Sequence, residues 1–235
     1  MVRIKQLASY STESEFAEYH AYTSNASLAS TDRFKLFKEI WQTRELLQQF
    51  ANYTVKEYSM ESVLFLLEYA QFRQLVLANY RQITPDESNQ TEFLETVCKN
   101  GDDNGFQLDI ASGVLQTPTP ENGLSASDAA NLLKYLYEHY IDDESVKQVN
   151  IPWRIRKRVD AVFSKLEEVE SGGQSMSVWI CDAMREFECA YTELGFLLYQ
   201  DSFPRFCETR EYKQFRVLQM QTKPETPQIA ETAQN

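Results

Sequence analysis

SMESVLFLLEYAQFRQLVLANYRQI, residues 59–83, is the stretch from which the fold can be read. Val63, Leu64, Phe65, Leu66 and Leu67 form an unbroken apolar run, and apolar residues continue to Ile83. The length and spacing predict a helix, and a helix apolar nearly all round belongs in the middle of its domain. Ser59 or Met60 opens it, without a full capping box, and Pro85 ends it at the latest.

Outward from this helix the pattern remains helical. Upstream, FKLFKEIWQTRELLQQFANYTVKEY (34–58) places Phe34, Leu36, Phe37, Ile40, Trp41, Leu47, Phe50 and Tyr53 at steps of three and four. Two consecutive helices are expected there, the first preceded by Asp32. Downstream, SASDAANLLKYLYEHYI (125–141) has Ser125 or Ser127 as its N-cap. IPWRIRKRVDAVFSKLEEVE (151–170) starts with Pro152 in a first-turn position and ends at Gly172 and Gly173. SVWICDAMREFECAYTELGFLLYQDSFPRFCETREYKQF (177–215) gives a long helix interrupted by Pro204, then a last short helix. Only seven glycines and seven prolines occur in 235 residues, too few for the turns of a sheet-rich fold.

The remaining segments are polar. Residues 1–30 read as an arm or short helices docking on the core. Residues 85–125 contain TPDESNQ, KNGDDNG and TPTPENG around TEFLETVCK, a short helix at most, and read as an insertion. Residues 217–235 are poor in apolar side chains and read as a disordered tail.

Composition narrows the function. A net charge of −12 would be repelled by a phosphate backbone, so nucleic acid is not the expected partner. Cys98, Cys181, Cys189 and Cys207 form no CxxC pair and no metal-ligand spacing, which fits reduced thiols in the cytosol. No secretory h-region, no glycine at position 2 and no run of about 20 apolar residues is present, so neither secretion, N-myristoylation nor a membrane span is expected. No nucleophile elbow, P-loop, HExxH or dinucleotide fingerprint appears. His20 is far from His139, and His139 beside Glu138 points away from it on a helix, so no metal motif arises. The residues therefore predict a chain with no catalytic residue, metal or cofactor of its own.

Four segments, in order, carry a resemblance. Glu57-Tyr58-Ser59-Met60-Glu61-Ser62-Val63-Leu64-Phe65 is similar to the pattern E-[YF]-S-x-E-N-[IL]-x-F. Leu136-Tyr137-Glu138-His139-Tyr140-Ile141 resembles I-Y-x-x-[FY]-I, and Val149-Asn150-Ile151 resembles V-N-L. Phe187-Glu188-Cys189-Ala190 followed by Leu197 to Phe206 is similar to F-D-x-A and L-M-x-x-D-S-[YF]-x-R-F. Their order, context and spacing resemble the regulator-of-G-protein-signalling (RGS) family over about residues 34–215. The resemblance implies an all-α, RGS-like multi-helical fold: nine helices, with a four-helix bundle subdomain and a second subdomain made by the terminal helices. The domain would span 31–216, with two insertions, about 80–124 and 166–186, where loops would be.

The same resemblance implies a function and a site. The expected activity is GTPase activation on a heterotrimeric G-protein α subunit (Gα), terminating its signal. The partner is GTP-bound or transition-state Gα, met by a monomer in the cytoplasm that can be recruited to the inner face of the plasma membrane. The alternative is a non-activating RGS-like scaffold. Carried over residue by residue, the Gα contacts are Glu57, Tyr58, Ser59, Glu61 and Ser62 from a first loop, Asn150 from a second, and Leu197, Asp201, Ser202 and Arg205 from a third. Asp201 is expected to accept a switch-I backbone N–H, Arg205 to hold Asp201, and Asn150 to orient the catalytic glutamine of Gα. Ser62 departs from the family's asparagine, and loss of one interfacial hydrogen bond costs about 0.5–1.5 kcal/mol. Leu66 stands where the family often has tryptophan. The residues alone also fit plainer roles: Asp201 and Arg205 as an exposed i,i+4 pair, Asn150 as a cap for the next helix, and Ser59 or Ser62 as caps.

Overall fold

In the computed structural model, residues 29–84, 110, 123–173 and 175–222 are described, and every regular element among them is a helix. The helices are α1 (Ala29–Gln42), α2 (Arg44–Lys56), α3 (Met60–Ala78), α4 (Tyr80–Ile83), α5 (Ala126–Tyr140), α6 (Trp153–Phe163), α7 (Leu166–Glu170) and α8 (Met176–Leu197). A π-helical turn (Leu198–Ser202) follows, then α9 (Phe203–Cys207) and α10 (Arg210–Thr222). No helix among the described residues is long and apolar enough to cross a membrane.

Helix α3 is the apolar helix of the opening stretch, and it sits centrally as its composition requires. Val63, Phe65 and Leu66 are fully buried. Around it α3, α5, α6 and α8 form a four-helix bundle. Phe65 packs against Tyr140 of α5 at 5.6 Å and Phe187 of α8 at 5.9 Å between ring centroids. Phe163 of α6 meets Trp179 of α8 at 5.3 Å. Such ring contacts combine large buried area with edge-to-face or offset attraction.

The second layer is built from both ends of the chain. Phe37 of α1 and Phe50 of α2 contact Phe203 and Phe206 of α9 at 5.2 Å each. Tyr212 of α10 closes the cluster against Phe206, also at 5.2 Å. The ion pair between Arg216 and Glu39, 2.8 Å apart, ties α10 to α1. This is the all-α architecture of a bundle plus a terminal-helix subdomain.

Several boundaries differ from the expectations, each for a local reason. The expected break between α1 and α2 falls at Thr43, whose extended backbone (φ −121°, ψ 116°) interrupts the ladder; α1 itself starts at Ala29, ahead of Asp32. Ser125 caps α5: its Oγ accepts from Asp128 N–H at 3.2 Å, while Asp128 accepts from Ser125 N–H at 3.3 Å. Segment 166–186, set down from the resemblance as an insertion where a loop would be, is mostly helical, as the residue pattern up to 170 and from 177 predicts. It holds α7 and the first turns of α8, because Leu166, Val169, Trp179 and Ile180 bury apolar surface against the bundle. Helix α10 runs to Thr222, past the expected tail boundary at 217. Val217 and Leu218 are exposed, so no buried stripe marked this turn, but its Arg, Leu, Gln and Met are good helix formers. Asn79 Oδ1 accepts from Leu124 N–H at 3.2 Å, which ties the chain just before α5 to the end of α3. The short helix expected in TEFLETVCK and the arm over residues 1–28 lie outside the described residues.

Candidate functional site

The α2–α3 connection is a helix C-terminal cap with an unusual occupant. Ser59 N–H donates to Thr54 C=O at 3.0 Å and Tyr58 N–H to Val55 C=O at 3.3 Å, the two bonds of a Schellman motif. The motif needs a left-handed residue at the position of Tyr58, whose φ is +55°. Glycine normally stands there; a bulky side chain is strained. The Tyr58 side chain is 92% exposed.

The residues just before and far after this cap meet through one guanidinium. Arg205 Nε and Nη2 donate to the two Glu57 oxygens at 2.6 and 2.7 Å. Its Nη1 and Nη2 also donate to Asp201 Oδ1 and Oδ2 at 2.5 and 3.0 Å. Tyr53 O–H donates to Glu57 Oε1 at 2.5 Å. Bidentate charge-assisted bonds of this kind fix geometry as well as charge. The Arg205 bonds, ahead of the Tyr53 and Ser202 hydroxyls and against burial, hold the Glu57 carboxyl below the ordinary glutamate range. Glu57 is thereby engaged inward, with its side chain 17% exposed, whereas that of Asp201 is 69% exposed. Each Asp201 oxygen keeps a lone pair free for another donor.

Asp201 and Arg205 share a face because the chain stays helical through Pro204. Proline has no N–H for the carbonyl at position 200 and crowds the preceding turn. The turn Leu198–Ser202 widens to the π form and α9 then starts with Pro204 in its first turn.

Asn150 comes to this end of the molecule by a different route. Val149 N–H donates to Tyr140 C=O at 2.9 Å, folding the α5–α6 loop back on the end of α5. Tyr140 in turn packs on Phe65 near the start of α3. Helix α6 runs antiparallel to α8: Trp179 Nε1 donates to Val162 C=O at 3.0 Å, and Arg158 pairs with Glu186 at 3.0 Å. Further along, burial pushes the Glu193 carboxyl above the ordinary glutamate range and the charge of Arg154 opposes that rise. The start of α6 therefore lies beside the end of α8, where Leu197 is 38% exposed.

Of the residues carried over from the family pattern, Tyr58, Asn150, Leu197, Asp201 and Arg205 are exposed, and Glu57, Ser59 and Glu61 are half-buried. Ser62 and Ser202 are buried. Glu57, Asp201 and Arg205 form one bonded cluster; among the described residues no bond joins Asn150 to it. Pro152, not Asn150, occupies the N-cap of α6. Ser59 occupies the N-cap of α3 without a side-chain cap bond. Asp201–Arg205 is more than an isolated i,i+4 pair, since Glu57 shares its guanidinium.

Sequence reading passed over Tyr53 and Arg156 at this end of the molecule. Tyr53 was read only as an apolar position, although its i,i+4 spacing to Glu57 was visible. Arg156 lies in α6, yet its side chain donates to Val149 C=O at 3.0 Å and to Ile141 C=O, locking the loop that carries Asn150. No sequence signal marks that role. Among the described residues, no group of His, Cys, Asp and Glu could hold a metal ion.

Comparison with known proteins agrees with this architecture. A family model described as "Regulator of G protein signaling domain" matches residues 36–215. Neither the curated proteins nor the solved structures contain a match to the chain. The matched span runs from α1 to α10 and takes in both subdomains and all three loops; the chain belongs to the regulator of G protein signaling domain family.

Proposed function

We propose that this chain is a GTPase-activating protein for heterotrimeric Gα subunits, acting through Glu57–Ser62, Asn150 and Leu197–Arg205 as three parts of one clamp. Gα already supplies its transition-state arginine in cis and orients water with a glutamine, so an activator needs no reactive group. A partner surface lowers the barrier when it fits the transition-state arrangement of the switches better than the ground state.

The observation that carries the reading is Arg205 bonding Glu57 and Asp201 at once. It joins the first and third loops before any partner arrives, so less ordering remains at binding. In this reading Asp201 accepts a switch-I backbone N–H, Arg205 fixes its carboxylate, and Glu57 with Tyr53 fixes Arg205. Asn150 touches the switch glutamine without replacing it. Tyr58 supplies exposed aromatic area.

One observation favours the second reading, a non-activating scaffold. Ser62 is buried where the family pattern implies a longer amide side chain. Single-turnover GTP hydrolysis by purified Gα subunits, with and without this protein, decides between them. Acceleration of tenfold or more on at least one Gα class is the expected result; tight binding without acceleration supports the scaffold.

A further inference from the structure

The chain has three tryptophans. Trp41 and Trp179 are buried in the core, whereas Trp153 is 71% exposed. It is the first residue of α6, three positions after Asn150 and at the end of the bundle where Leu197 emerges. An indole left in water forfeits its large burial free energy, and one held rigidly at a rim is suited to anchor a partner.

The backbone that carries Trp153 is restrained. The loop before it is pinned by the Val149–Tyr140 backbone bond and by Arg156, which also pairs with Asp143 at 3.4 Å. Lys157 Nζ lies 5.0 Å from the indole centroid, one helical turn along, and biases the ring toward that side. The anchor is thus preorganised, with a cation at its border on a chain whose net charge is −12.

We infer that Trp153 is a specificity-determining anchor for Gα: its indole enters an apolar depression beside the switch contact, and Lys157 faces a carboxylate at that depression's edge. The inference rests on the proposed GTPase-activating role and extends the clamp beyond the residues the family pattern supplies. Trp153 touches no reacting group, so it binds ground and transition states alike. It adds affinity and leaves the transition-state preference to Asp201 and Asn150. Gα classes that differ at the depression are separated by it.

The test uses the full chain, Trp153→Ala, Trp153→Phe and Asp201→Ala, with purified Gα subunits of several classes. Dissociation constants are measured for the GDP form and the GDP–aluminium fluoride form, and single-turnover rates are followed to saturation. Trp153→Ala should weaken binding to the preferred Gα by about tenfold or more in both forms. Its loss of acceleration should be recovered at saturating concentration, Phe should restore part of the affinity, and the loss should differ between Gα classes. Asp201→Ala should instead lower the saturated rate. Unchanged affinity of Trp153→Ala beside a wild type that prefers the aluminium fluoride form overturns the anchor and leaves the proposed function standing. A lower saturated rate for Trp153→Ala, or an equal loss on every class, also overturns it. A wild type without acceleration or transition-state preference overturns the function, and the anchor falls with it.

Discussion

Two charge clusters lie in this molecule and show how burial changes what the same chemistry does. Inside the bundle, Arg73 of α3 donates to Glu188 of α8 at 2.8 Å, with only 8% of the Glu188 side chain exposed. Tyr191 lies under the Arg73 guanidinium, 5.6 Å away at its centroid, and Tyr69 O–H donates to Met184 C=O at 3.0 Å beside the pair. At the other cluster the nearest approaches of Arg205 to Glu57 and Asp201 are 2.6 and 2.5 Å, but its own side chain is half-exposed. Burial magnifies the cost of leaving either partner of the first pair alone. Solvent screens the second cluster, so its short bonds fix geometry more than they stabilise the fold. The buried pair therefore bears on folding, whereas the exposed cluster, in the proposed function, bears on the interface.

The comparison can be broken by substitution. Arg73→Ala should show the largest loss of stability, about 3 kcal/mol in urea unfolding, because it strands a buried carboxylate. Replacing both partners by apolar residues should recover most of that loss. Arg205→Ala should lower stability by less than about 1 kcal/mol while reducing GTPase acceleration about tenfold or more. A loss of folding stability at Arg205 as large as at Arg73 would erase the distinction.

Titration sharpens it, since the two glutamates shift in opposite directions. Burial raises Glu188 above its ordinary value of 4.5, although Arg73 opposes the shift. The folded state then binds this proton more tightly than the unfolded state, so its contribution to stability falls as pH rises from 4.5 through the folded value. Glu57 is lowered, chiefly by Arg205. Its contribution is present above 4.5 and is lost as pH falls through the folded value. Urea midpoints followed from about pH 3 to 7 for Glu188→Gln and Glu57→Gln should remove these two slopes separately.

An effect of opposite sign is expected at Tyr58. Tyr58→Gly relieves a left-handed residue and should raise stability by about 1 kcal/mol, while weakening Gα binding through the lost ring. Unchanged or tighter Gα binding by Tyr58→Gly would show that the strained tyrosine does not serve the interface.

Much of the fold was legible because burial leaves a periodic trace. The run around Val63–Leu67 announced a central helix, and Phe50, Phe187 and Phe206 fell where a helical core needs them. The first turns of α8 were legible too: the apolar spacing from Ser177 onward predicts helix, although the family pattern has a connection there. Asp201 and Arg205 were legible as a pair through their spacing. The Arg205–Glu57 bond was not, because it joins residues 148 positions apart and only packing of α9 on α2 brings them together. Arg156 and Trp153 escaped notice for a similar reason: one bonds backbone carbonyls, and the other is conspicuous only once its exposure is known.

Affinity for one Gα subunit in its GDP and GDP–aluminium fluoride forms, measured side by side for the intact chain and Asp201→Ala, tests the central claim most directly. A clamp preset for the transition state binds the aluminium fluoride form much more tightly, and Asp201→Ala loses most of that difference. Equal affinity of the intact chain for both forms would contradict the account.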